Sequence, residues 1–338
     1  MRTATVIGAR ALAVIAVALT TGVLAATESA ASTPSETAPG GPGAQSYLDL
    51  ARKDCFGTAR NTTSKVWFTV VDGVLSDTFS PTIENSNVNT LQYIVTDGRS
   101  FTDMQQRDMT HVVSSPDRSG MVCQATSRDP KHGFALVTDY LTDPARDSVV
   151  MHTTLEPLDG TATAALDSLK VYVRYDAQID NTGGGGTTNA LPNNAVIVPA
   201  TRVLVSSDTT TPTGPWAAPV VGALTADRRF ERASSGFAGT SSDGLTQLDT
   251  FDSLRNVYSS ATDGNVVQTA QINDPTHPFT LALGFAATAN EAVDTAERSA
   301  TTPYSATLKA YVDGCTPTTQ RCTALRKQRP APTGWRPT

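Results

Sequence analysis

Between residues 65 and 285 apolar and polar positions alternate in short runs, and helical spacing is scarce. Residues 66–71 and 74–79 flank Asp72-Gly73. An Asp-Gly pair between alternating arms is a strong hairpin signal, because a tight two-residue turn needs positive φ at both central positions. Residues 91–96 and 100–104 flank Asp97-Gly98 and predict a second hairpin. Residues 134–141 and 148–155 flank a turn that begins Thr142-Asp143-Pro144,. Runs at 121–126, 169–175, 195–206, 265–272 and 279–285 continue the series,. Strands separated by turns, without helices between them, pair antiparallel and pack face to face. The predicted fold is therefore all-β, a large antiparallel super-β-sandwich over residues 47–288. The Gly-rich stretch 180–189 reads as a surface loop rather than a linker, so one oversized sandwich is expected. Beyond Gly284 the period changes. Residues 290–300 read as a helix capped by Asn290 or a neighbour, and Pro303 is placed to open another through Tyr304, Leu308 and Tyr311,. Short C-terminal linker helices are thus expected over 289–314.

The N-terminus adds a compartment. Arg2 and Arg10 precede and flank an apolar stretch from Ala11 to Ala25, and small residues follow. That order predicts a secretory signal over residues 1–31, cleaved after Ala25 or after Ala31. The alternative is a membrane anchor, but the run is short and interrupted by Thr20, Thr21 and Gly22,. A secreted, extracellular chain follows, with no membrane partner after cleavage and residues 32–46 as a flexible lead-in. With 39% hydrophobic and 17% charged residues the chain is of the globular kind,. A net charge of −6 argues against a nucleic-acid partner, which needs a basic face,. Export also places Cys55, Cys123, Cys315 and Cys322 where disulfides persist,. Their spacing fits no zinc pattern. Cys55 with Cys123 is the preferred pair, two buried free thiols being the alternative.

Candidate chemistry is sparse. His111, His132, His152 and His277 stand far apart in sequence, without the spacing of a metal site, and no cofactor is expected,. Ser234-Ser235-Gly236-Phe237-Ala238-Gly239 is not a nucleophile elbow,. Residues 176–181 offer several oxygens but lack the order of a calcium loop, so they read as a turn,. Glycosidic cleavage needs two carboxyl groups, one protonated and one ionised. The glutamates past the signal are Glu36, Glu84, Glu156, Glu231, Glu291 and Glu297. For sugar stacking, Trp67, Tyr93, Tyr172 and Tyr175 fall in strand patterns that explain them as core,. Trp216, after Thr213-Gly214-Pro215, is the best candidate for an exposed carbohydrate-binding ring.

Four blocks occur in a telling order: Lys53-Asp54-Cys55-Phe56-Gly57-Thr58-Ala59, the hairpin from Lys65 to Pro81, Leu91-Gln92-Tyr93-Ile94-Val95-Thr96-Asp97-Gly98, and the stretch from Thr138 to Asp147. Together they resemble the N-terminal β-sandwich of bacterial glucoamylases and glucodextranases, glycoside hydrolase family 15. The resemblance implies a parent activity, release of glucose from α-glucan ends with inversion. It also implies helical linkers and a catalytic helical barrel, whose glutamates do the chemistry, as the partner of this sandwich. The family commonly has two tyrosines before the proline that ends the first hairpin; here Phe79 and Ser80 stand there. From Cys315 the chain turns basic and Pro-rich and loses periodicity. One extra base within the Cys315 codon allows a choice of codons that restores Gly-Trp-His-Ala-Tyr-Asn-Ala-Glu, a linker helix. Residues 315–338 are therefore read as an aberrant, frame-shifted tail truncating the protein before the barrel, a native basic tail being the alternative. The expected function is a non-catalytic domain of a secreted α-glucan hydrolase. The alternatives are a free-standing carbohydrate-binding protein and a complete small hydrolase.

Overall fold

The computed structural model describes residues 36–44, 53–116, 122–181, 192–208 and 217–314. The signal, the tail with Cys315 and Cys322, the Gly183–Gly186 run and Trp216 lie outside the described residues. Strands β1 (Cys55–Thr58), β2 (Trp67–Val71), β3 (Val74–Phe79) and β4 (Ser86–Thr96) open a first sheet, with β5 (Thr102–Met104) paired to the end of β4. After a helical turn, α1 (Gln105–Asp108), the chain crosses to a second sheet. There β6 (Thr110–Ser114), β7 (Cys123–Asp129), β8 (Phe134–Thr142) and β9 (Ser148–Pro157) form a meander. β10 (Lys170–Asn181) returns to pair with β4. β11 (Asn193–Ile197), β12 (Leu204–Asp208) and β13 (Val221–Ala226) extend the second sheet. β14 (Arg232–Phe237) and β16 (Val266–Gln271) extend the first, and β15 (Ser260–Gly264) and β17 (Phe279–Ala286) the second. The orders are β1-β2-β3-β4-β10-β16-β14 and β15-β11-β12-β13-β17-β9-β8-β7-β6, antiparallel throughout the strand pairs.

The all-β, super-sandwich expectation holds, and local chemistry explains the turns. Asp72 (φ 47°) and Gly73 (φ 77°) make the tight turn of the β2–β3 hairpin,. A side chain at Gly73 would run into the His111 ring, with Nδ1 2.5 Å from the added Cβ, so glycine is needed there twice over,. The second hairpin forms with a longer loop than a two-residue turn: Thr96 pairs with Thr102. The Asp97 carboxylate sets that loop by accepting the amides of Arg99 and Ser100 at 2.9 and 2.8 Å,. The run 195–206 is two strands, not one. Val198 and Val203 bond across a turn that Arg202 completes at φ 61°. Residues 176–181 are the end of β10, not a turn, and all but Asn181 are buried.

Sequence alternation is blurred at the centre because both sheets are covered on both faces. Val171, Val173, Tyr175, Ala177 and Ile179 of β10 enter the main core between the sheets, with Tyr93, Tyr140, Phe134 and Phe279. Tyr172 faces the other way and packs with Ile94, Leu248 and Leu254 beneath helix α2 (Gly244–Phe251). Each large side chain so buried contributes roughly 1.5–3 kcal/mol. On the outside of the second sheet, helix α3 (Ala289–Thr301) lays Ala292 and Ala296 on Val203, Val205 and Ala223. Its cap is Thr288, whose Oγ accepts the Glu291 amide while donating to the Glu291 carboxylate,. Gly284 of β17 allows the close approach, since a Cβ there would lie 2.6 Å from the Ala296 nitrogen. Pro303 then starts the second predicted helix, residues 304–314, which packs Tyr304, Leu308 and Tyr311 around Val122, Leu141 and Val150,. A disulfide joins Cys55 of β1 to Cys123 of β7, linking the two sheets with Cα atoms 6.0 Å apart.

Candidate functional site

A site for glycosidic cleavage needs two carboxyl groups facing a cleft. The glutamates do not supply them. Glu36, Glu156, Glu231 and Glu291 are exposed, Glu84 and Glu297 half-buried. Glu231 accepts the Gln271 side-chain amide at 2.6 Å, and Glu291 serves the α3 cap.

Among the described residues aspartates come together, and two of these clusters bear on chemistry. Along β10 the residues turned away from the main core are polar yet buried. Arg174 there donates to both oxygens of Asp243, at 3.3 and 2.9 Å, and to Asp176 at 3.2 Å. Asp243 also caps α2, accepting the amides of Leu245 at 2.9 Å and Gly239 at 3.0 Å,. Burial pushes the Asp176 carboxyl up, and Arg174 offsets that only in part. Burial acts on Asp243 in the same sense, but the Arg174 guanidinium together with the Gly239 and Leu245 amides outweighs it and holds this carboxyl below its usual range. Two carboxyls with divergent pKa values are a catalytic signature only when substrate can reach them. Side-chain exposure here is 9% for Arg174, 7% for Asp176 and 2% for Asp243. The cation between them bonds to both. The triad holds α2 to the first sheet and is structural.

The other cluster lies where the sheets meet at one end. Asp103 comes from β5, Asp129 from the end of β7, and His132 from the β7–β8 turn. His132 Nδ1 stands 2.6 Å from Asp103 Oδ2 and 2.9 Å from Asp129 Oδ2. The remaining Asp129 oxygen accepts the amides of Lys131 and His132 at 2.9 and 3.1 Å. Phe101 stacks on the His132 ring at 3.7 Å, planes 7° apart. Burial, with neighbouring Asp129, pushes Asp103 up to about 6. Asp129 is also penalised by burial, but the hydrogen bonds from Asp103 and His132 bring it below its ordinary value. The three donor atoms form a group suited in spacing to a metal ion. Sequence spacing concealed it. The Asp129–His132 interval of three residues was visible, but Asp103 arrives through a hairpin in the opposite sheet.

Two surface features remain. A depression of about 480 Å³ between α3 and the β13 end is lined by Asp227, Arg228, Arg229, Asp294, Glu297 and Arg298 among others. Its charges are largely spent locally, Arg228 on Asp227 and Arg298 on Asp294, at 2.9 and 2.8 Å. A smaller one, about 230 Å³, is lined by Ser80, Pro81, Asp147, Ala218, Pro219, Val220 and residues 285–287. Ile83, 61% exposed, belongs to the loop that follows Pro81. Ser80 itself is buried, its amide bonded to the Asn85 carbonyl at 3.1 Å.

Of the aromatic candidates, Tyr93, Tyr172 and Tyr175 are buried and Trp67 half-buried. The three tyrosines are unavailable to a sugar. Trp216 lies outside the described residues. Ser234 to Phe237 belong to β14, an ordinary strand, and no helix among the described residues is long and apolar enough to cross a membrane.

Comparison with known proteins places these features. The family model for domain N of glucodextranase matches residues 38–316. A glucoamylase of Clostridium sp. (strain G0005) is 28% identical over 279 residues, 82% of this chain and 37% of its own length. The crystal structure of a bacterial glucoamylase complexed with acarbose superposes with a TM-score of 0.74 at 27% identity, covering 85% of this chain and 40% of that one. The chain thus spans well under half the length of the glucoamylases it matches.

Proposed function

The chain belongs to the family of glucodextranase N domains, and from that premise we propose that it is a non-catalytic β-sandwich of an exported α-glucan hydrolase. The observation that carries this is the extent of the match. It takes in both sheets and the two helices laid on the second, yet accounts for only 37% of the glucoamylase sequence. The distribution of carboxyl groups agrees with a scaffold: the glutamates are dispersed, the buried Asp176–Asp243 pair is closed by Arg174, and Asp103 and Asp129 converge on one imidazole, too close together to act as acid and base on a glycosidic bond,. In this role α3 and the 304–314 helix are the linker that leads toward a catalytic helical barrel, the partner of the sandwich. The apolar end marked by Pro81, Ile83, Pro219 and Ala286 is the part of the surface best suited to meet it. The parent activity, glucose release from α-glucan ends, belongs to the barrel.

The test uses the chain purified from the medium of an expression host. Mass spectrometry is expected to find it cleaved after Ala25 or Ala31. Incubated with maltooligosaccharides it should release no glucose, and it should sediment as a complex with a glucoamylase barrel prepared without its own sandwich. Sustained glucose release by the pure chain defeats the proposal. Retention on starch that Trp216→Ala abolishes, without barrel binding, would instead establish a free-standing carbohydrate-binding protein.

A further inference from the structure

We propose that Asp103, Asp129 and His132 form a binding site for one divalent transition-metal ion that clasps the two sheets together. The donor set is one imidazole nitrogen and two carboxylate oxygens, a combination that suits zinc and its neighbours better than magnesium or calcium, which prefer all-oxygen shells. All three donor atoms converge, with His132 Nδ1 2.6 and 2.9 Å from the two carboxylate oxygens. Donors bound to one ion at about 2.1 Å stand roughly 3.0–3.4 Å apart, so small side-chain adjustments admit it.

The surroundings hold the donors in place. Phe101, stacked on the imidazole at 3.7 Å, fixes the ring plane. The Lys131 and His132 amides occupy one Asp129 oxygen and leave the other directed into the cluster. Such outer contacts set ligand orientation in metal sites generally. Access is retained, since the His132 and Asp103 side chains are 18% and 14% exposed, enough for an ion and its remaining waters to enter from one side. Nδ1 is the coordinating nitrogen. On binding, a neutral ring carries its proton on Nε2, and a protonated ring releases the Nδ1 proton to solvent. Three protein donors leave a position for water, but the ion's effect is mechanical. It ties β5 of the first sheet to the β7–β8 turn of the second, at a place separate from the Cys55–Cys123 bridge.

The experiment takes the full secreted chain, stripped with chelator, and titrates Zn²⁺ by calorimetry, with Ca²⁺ in parallel. One Zn²⁺ per chain is expected at micromolar affinity, with Ca²⁺ much weaker. Asp103→Asn and His132→Gln should each weaken Zn²⁺ by at least about tenfold. Long-range ¹H–¹⁵N spectra of the wild-type chain should show His132 Nδ1 shifting on the first equivalent, while His111, His152 and His277 stay put. That spectrum needs no variant and decides the matter should both variants fail to fold. Absence of stoichiometric binding, equal affinity in folded variants, or a first equivalent that leaves His132 unmoved would each overturn the site and mark the cluster as a hydrogen-bonded clamp.

Discussion

Replacing Arg174 with Met removes the cation that Asp176 and Asp243 both face, while keeping the length and most of the apolar volume of the stem. Arg174 makes two contacts to Asp243 and one to Asp176, all in a region where side-chain exposure is below one tenth. Breaking a buried ion pair by removing one partner costs about 3–5 kcal/mol, because a charge stays behind without compensation. Here two carboxyls stay behind. Against a typical domain stability of about 5–15 kcal/mol the loss is large. Its pH dependence gives the sharper test. In the wild type Asp243 sits below its unfolded value, so its contribution is present at neutral pH and disappears as pH falls through the lowered folded value,. In Arg174→Met Asp243 should join Asp176, already raised in the wild type, above the unfolded value, and Asp176 should rise further. The folded variant then retains protons that the unfolded chain has released, and its stability increases on acidification. The deficit relative to wild type should therefore be several kcal/mol at pH 7 and clearly smaller near about pH 5. Urea unfolding at the two pH values measures it, and Arg174→Met/Asp176→Asn should recover part of the loss at neutral pH. A deficit under about 1 kcal/mol at pH 7, no larger than an ordinary surface pair, or one that does not shrink on acidification, would refute the charge-compensation reasoning.

Three further outcomes test the packing that the proposed function relies on. Gly284→Ala places a Cβ against the backbone of Ala292 and Ala296, so α3 must lift; a loss of about 1–3 kcal/mol is expected, with hydrogen exchange accelerating in α3 before the β17 core,. Removing the inter-sheet disulfide by Cys55→Ala/Cys123→Ala opens a loop of 68 residues in sequence separation and should lower stability by about 2–4 kcal/mol, read as a fall in the urea midpoint; an unchanged midpoint would show the sandwich is closed by other contacts alone,. His152, stacked on Tyr304 at 4.0 Å and bonded to Thr280, has its pKa lowered by burial against the pull of Asp139 and Asp227. An unfolded histidine takes up its proton first, so stability should decline as pH drops below about 6.5. The Tyr304 ring signals should report early loosening of the 304–314 helix, and His152→Gln should reduce that acid sensitivity, the remainder coming from His111, which burial lowers in the same sense.

Much of this protein was written in local chemistry. Strand periodicity, Asp72-Gly73 and the Asp143-Pro144 turn specify hairpins because positive φ and a preset φ are properties of those residues wherever they occur. The same holds for α3 and its follower, whose caps and Pro303 act within a few residues. What local pattern could not decide is coverage. β10 reads as polar and turn-like past Tyr175, yet it is buried to Asp180, because α2 and distant loops cover its second face. The split of 195–206 into two strands likewise depended on Arg202 accepting a left-handed conformation, with its guanidinium held by the Phe230 carbonyl at 2.7 Å. The cluster of Asp103, Asp129 and His132 is a product of topology alone. Sequence supplies the three residues, but only the meeting of a hairpin from one sheet with a turn of the other puts two carboxylates against one imidazole. Backbone preference acts over a few residues and is legible along the chain; charge compensation and ligand convergence act across space, where only the packed sheets set the distances.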